Sequence, residues 1–113
     1  MPDASRKLAV FPAFHKVAGR PVVIVGGGAE AAAKIRLLAE TSARIVVYSA
    51  ALGREAGADL IAAGGEWRGA FPALADLAGA ALVFAATESE EKDREIKALA
   101  HEAGVPVNVV DRP

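Results

Sequence analysis

The stretch Pro21-Val22-Val23-Ile24-Val25-Gly26-Gly27-Gly28-Ala29-Glu30-Ala31 decides how the rest of the chain is read. A β-branched run is followed at once by three glycines and then by alanine-rich sequence. This order predicts a strand, a tight turn and a helix. Gly26 lets the chain turn off the strand, and Gly28 leaves room for close approach to the backbone. Ala31 is small enough for helix and strand to pack closely. The N-terminus of the helix offers free N–H groups and a positive dipole end. Together these features form the turn on which a dinucleotide's pyrophosphate can lie. A tight βα turn that binds nothing is the plain alternative.

The 113 residues suit one compact domain with enough chain for a real core. Hydrophobic residues make up 53% of it, above the usual range of about 45–50%. No apolar run is long enough to span a membrane, and the N-terminus lacks the apolar core of a signal peptide. With no cysteine there is neither a disulfide nor a thiolate metal site, which fits a cytoplasmic protein. The net charge is −1 with no basic face evident, which argues against nucleic acid as a partner.

Working outward from the glycines, residues 22–25 read as a strand buried on both faces. A helix is expected over 29–40, with Ala31, Ile35 and Leu38 inward and Glu30–Lys34 and Arg36–Glu40 as surface pairs. A second strand is expected over 43–48. A helix over 52–63 follows, weakened by Gly53 and Gly57 and ended by Gly64-Gly65. Residues 66–68 read as a short third strand, with Trp67 as a packing residue. Residues 71–77 read as a short helix or turn, and 80–86 as a fourth strand. Thr87 and Glu90 match a capping box opening a helix that Gly104 stops. The charges over 88–95 read as its solvated face. The fifth strand is placed at 105–110. Pro12 restricts residues 8–14 to an edge segment or turn, with Phe11 and Phe14 covering one end of the core.

The predicted fold is α/β: a Rossmann-like, doubly wound parallel sheet of five strands in the order 3-2-1-4-5. Ligands of such sheets bind beyond the carboxyl ends of the strands, where the strand order reverses. That edge should carry Gly26, Gly27, Gly28, Ala29 and Glu30, then Ser49, Ala50 and Ala51, then Ala86, Thr87 and Asp111. All but Asp111 are candidate cofactor-binding residues. An NAD site usually has an acid about 20 residues past the first glycine, for the ribose hydroxyls. Here that place reads Tyr48-Ser49. Ser49 could bond a ribose, and Arg54 could meet a 2′-phosphate, so NAD against NADP stays open. His15 is a weak metal candidate, His101 beside Glu102 on the last helix reads as solvated, and no metal site is assigned.

Several motifs occur in order along the chain: Phe11-Pro12-Ala13-Phe14, Gly19-Arg20-Pro21, Val25-Gly26-Gly27-Gly28, Lys34-Ile35-Arg36-Leu37-Leu38, Ala43-Arg44-Ile45-Val46-Val47, Ala85-Ala86-Thr87 and Asn108-Val109-Val110-Asp111. Over nearly its whole length the chain resembles the N-terminal domain of siroheme synthase, the precorrin-2 dehydrogenase/sirohydrochlorin ferrochelatase family. The resemblance implies NAD-dependent oxidation of the tetrapyrrole precorrin-2 to sirohydrochlorin. It also implies insertion of ferrous iron, a ferrochelatase (lyase) activity, in many complete enzymes, and a homodimer. It assigns catalysis to Asp111. The chain departs from the family pattern in two places. Ala29-Glu30 stands where an acid and then a small apolar residue are typical, and Ala33 where an arginine often stands. Family members also continue past the position of Pro113 into a helical dimerisation and substrate region, so this single domain is expected to be a fragment. A non-catalytic dinucleotide-binding regulatory module is the alternative function.

Overall fold

The computed structural model describes residues 19–110. Its elements are β1 (Pro21–Val25), α1 (Ala29–Leu38), β2 (Arg44–Tyr48), α2 (Arg54–Ala63), β3 (Glu66–Arg68), α3 (Leu74–Leu77), β4 (Leu82–Ala85), α4 (Glu90–Ala103) and β5 (Val107–Val109). The strands form one parallel sheet in the order β3-β2-β1-β4-β5, as the hydrophobic runs predict. Val25 pairs with Tyr48 on one side and with Ala85 on the other. Three strands therefore end side by side, and the topology reverses between β1 and β4.

The strand period of two sends alternate residues to opposite layers. Val22, Ile24, Ile45, Val47, Leu82 and Phe84 pack with Ala31, Ile35 and Leu38 of α1 and with Ala56 and Leu60 of α2. Val23, Val25, Val46, Val83 and Ala85 pack with Leu77 of α3 and with Ile96 and Ala100 of α4. The sheet is thus covered on both faces, which is why its central strands are apolar without alternation. Each fully buried Val, Ile or Phe contributes about 1.5–3 kcal/mol of transfer free energy.

Local chemistry shifts several expected boundaries. Helix α1 stops at Leu38 because the buried Thr41 hydroxyl donates to the Leu38 carbonyl at 2.7 Å and accepts the Ala43 N–H at 3.1 Å. Arg36 does not pair with Glu40. It reaches across to α2, 2.7 Å from Asp59 and 3.7 Å from Glu55. Gly53 lies outside α2 as its N-cap, so of the two glycines only Gly57 weakens the helix interior. The N-cap of α4 is Ser89 rather than Thr87, and its hydroxyl accepts the Lys92 N–H. Asp93 is no part of a solvated face, being 1% exposed. Strand β5 has three residues, fewer than the six expected. Residues 8–14, His15 and Asp111 lie outside the described residues.

Candidate active site at the carboxyl edge of the sheet

The ends of β1, β2 and β4 are tied together by backbone bonds. Gly26 N–H donates to the Tyr48 carbonyl and Ala86 N–H to the Val25 carbonyl, each at 2.9 Å. The three glycines of the turn serve three different neighbours. Gly26 has φ +143°, and a Cβ there would overlap the Ala86 carbonyl oxygen. A Cβ on Gly27 would overlap the Ala51 carbonyl oxygen. The Gly53 N–H also donates to the Gly27 carbonyl at 2.8 Å. Gly26 and Gly27 therefore let two neighbouring loops close onto the turn. Gly28 is exposed as the N-cap of α1, and the three atoms nearest to where its Cβ would stand belong to the Glu88 carboxylate.

An open cleft of about 230 Å³ sits over this edge. Gly26, Gly27, Ser49, Ala50 and Thr87 line it, together with Val25, Tyr48, Phe71 and Lys92. Ala51 and Ala86 press on the glycine backbone, while Gly28, Ala29 and Glu30 form the start of α1 beside the cleft. Asp111 follows Val110, whose N–H donates to the Ala85 carbonyl at 3.0 Å. The cleft is smaller than the about 300–1,000 Å³ of most small-molecule sites. A dinucleotide is larger than this cleft and would extend beyond it.

The wall after β2 is held by Trp67. Its indole N–H donates to both the carbonyl and the hydroxyl of Ser49, at 3.2 and 3.1 Å. Trp67 is 47% exposed, so the packing residue expected at this position serves as a loop anchor at the surface. Tyr48 is buried beneath this wall. Burial pushes its phenol above 10.0, with a further upward push from the Asp76 carboxylate and an opposing pull from Arg68. The wall after β4 is held by Asp93. Its Oδ1 accepts the Thr87 N–H at 3.0 Å and the Thr87 hydroxyl at 2.6 Å.

This edge fits a dinucleotide. The slot left by the missing Gly28 side chain opens at the N-terminus of α1, where the positive end of the helix dipole favours an anion. The Ser49 hydroxyl stands where ribose recognition is expected. Phe71, Lys92, Trp67 and Glu88 were not legible as site residues, because the docking of α4 and β3 and the course of two loops bring them here. A serine three residues before Lys92 was the one available hint, since an N-cap at Ser89 aims the first turn of α4 at the cleft. Arg54, the first residue of α2, and His101, in the last turn of α4, are both exposed. Among the described residues there is no cluster of three His, Cys, Asp or Glu that could hold a metal, and no helix long and apolar enough to cross a membrane.

Comparison with known proteins agrees with this geometry. Siroheme synthase of Ectopseudomonas mendocina (strain ymp) is 45% identical over 106 residues, covering 90% of this chain and 22% of that protein. Siroheme synthase of Stutzerimonas stutzeri (strain A1501) is 43% identical over 103 residues, with the same coverage of 90% and 22%. The chain thus spans about a fifth of the length of these curated relatives. The solved structure of the precorrin-2 dehydrogenase SirC shares the fold, with a TM-score of 0.69 at 20% identity, over 85% of this chain and 50% of that one. The family model described as "Putative NAD(P)-binding" matches residues 13–113, and the chain belongs to that family.

Proposed function

We propose that this chain is the NAD-binding dehydrogenase segment of a siroheme synthase, oxidising precorrin-2 to sirohydrochlorin. The observation that carries the reading is the glycine turn at the β1/β4 reversal, in a chain 45% identical to a siroheme synthase over 106 residues. Gly28, Ala29 and Glu30 present the helix start to the pyrophosphate. Gly26 and Gly27 hold the turn against Ala86 and Ala51. Ser49, Ala50 and Ala51 flank the adenosine half, and Thr87 closes the opposite wall. Bound NAD supplies the hydride acceptor. The Asp111 carboxylate takes the proton that leaves the tetrapyrrole with that hydride. Insertion of ferrous iron, and a homodimer that completes the tetrapyrrole site, belong to the same proposal for the whole enzyme.

The test is NAD-dependent oxidation of precorrin-2, followed by absorbance, in the wild type and in Asp111→Ala. Turnover is expected to fall about 10²–10⁴-fold in the variant, the range for loss of a general base, while NAD binding is kept. Unchanged turnover removes Asp111 from the mechanism. A protein that binds NAD but never reduces it with precorrin-2 is a binding module instead.

A further inference from the structure

Glu88 has a feature that the dinucleotide reading leaves unused. It is one of the described residues outside glycine with positive φ, at 64°. Such a conformation is strained for a non-glycine residue and persists where the surroundings impose it. The bend turns its side chain towards the glycine turn. The carboxylate settles against Gly28, with Cδ 3.2 Å and Oε1 3.7 Å from where a Gly28 Cβ would stand, and Oε2 nearer still. Gly28 is the N-cap of α1 and has no side chain of its own to cap the helix. The carboxylate therefore fills the slot that suits a phosphate, at the positive end of the helix.

We propose that Glu88 sets the dinucleotide affinity of this site by standing in for a phosphate in the free protein. The proposal rests on the reading of the edge as an NAD site. A pyrophosphate and the Glu88 carboxylate cannot both occupy the slot, and their like charges repel at that range. Binding is an exchange of one anion for another: Glu88 swings out, and the helix start passes from carboxylate to phosphate. Lys92, four residues beyond Glu88, lines the cleft and brings a cation to it. Glu88 is exposed, so it can leave the slot without opening the core.

The test is calorimetric titration of the 113-residue chain with NAD, ADP and adenosine, in the wild type, Glu88→Gln, Glu88→Gly and Glu91→Gln. Glu88→Gln is expected to tighten NAD and ADP roughly threefold to tenfold, the scale of one like charge at a helix start. Adenosine, which has no phosphate, should bind both proteins alike. Glu91→Gln removes an equal charge from the same end of α4 and should change little. Glu88→Gly removes the carboxylate and the φ penalty together, and should tighten ADP even if the glutamine variant folds poorly. The ligand-free Glu88→Gln protein should melt a few degrees lower, because α1 loses its anion. A residue with a merely structural role would weaken both stability and binding. Equal NAD and ADP affinity in wild type and variants, or an equal gain for adenosine, overturns the proposal and leaves the NAD site standing. Failure of all the proteins to bind NAD overturns the NAD reading and the proposal with it.

Discussion

The buried carboxylate of Asp93 holds Thr87 by both of its donors, the backbone N–H at 3.0 Å and the hydroxyl at 2.6 Å. The same hydroxyl accepts the Ser89 N–H at 3.2 Å. One fully buried acid in α4 thereby fixes the loop that leaves β4 and carries Glu88. Asp93→Ala leaves the half-buried Thr87 N–H without its acceptor, and leaves the hydroxyl only the Ser89 carbonyl, 3.0 Å away. We expect a loss of about 2–3 kcal/mol in urea unfolding and weaker NAD binding. Asp93→Asn keeps an acceptor oxygen and should lose about half as much. Equal losses for the two variants would show that Asp93 matters by packing rather than by its bonds.

Gly26→Ala should be the most damaging small substitution in the turn. It places a methyl on the Ala86 carbonyl and forces a non-glycine residue into φ +143°. Gly104 also has positive φ, +72°, but open space around it. Gly104→Ala should therefore cost only about 1 kcal/mol, and Gly26→Ala at least about 3 kcal/mol, since a backbone clash is added. Comparing the two by denaturant midpoint separates the clash from the dihedral penalty.

These two sites show which parts of the molecule could be read in advance. The glycine turn and the apolar runs of β1, β2 and β4 carry their own period and punctuation, so the sheet order followed from them. Arg36 was misassigned because the i,i+4 rule knows only its own helix, and Asp59 of α2 lies nearer in space. Asp93 reads as a surface charge because it sits among Glu90, Glu91 and Glu95. Only the docking of α4 on the sheet shows which acid points inward. Trp67 reads as a packing residue, but which surface it packs on depends on β3 being an exposed edge strand beside the Ser49 loop. Glu88 was invisible for a different reason. Its reach to Gly28 depends on one positive φ that no composition signals.

Tyr48 links stability to alkaline pH. Burial, first, and the Asp76 carboxylate raise its phenol above 10.0 in the folded chain. Above that value the unfolded state loses the proton more readily than the folded one. The folded state then holds more protons, and stability falls as pH rises. The contribution is complete below pH 10 and is lost as pH climbs through the folded value. Melting temperatures from pH 8 to 11 should decline less steeply for Tyr48→Phe than for the wild type. Parallel curves would mean that Tyr48 ionises as an exposed phenol does.

Trp67 offers a direct readout of the site, because it is the chain's single tryptophan. It is half exposed and hydrogen-bonded to Ser49, which lines the cleft. A ribose that engages the Ser49 hydroxyl changes the polarity and contacts around the indole N–H. Its emission should therefore shift or quench on addition of NAD, saturating at the same Kd that calorimetry gives. Trp67→Phe removes the donor to Ser49 and should cost about 0.5–1.5 kcal/mol of stability, nearer the low end because the bond is exposed. It should also loosen NAD by a few fold, as Ser49 loses its anchor. If emission is unchanged at saturating NAD, the ligand lies away from the β2 loop and Ser49 has no part in holding it.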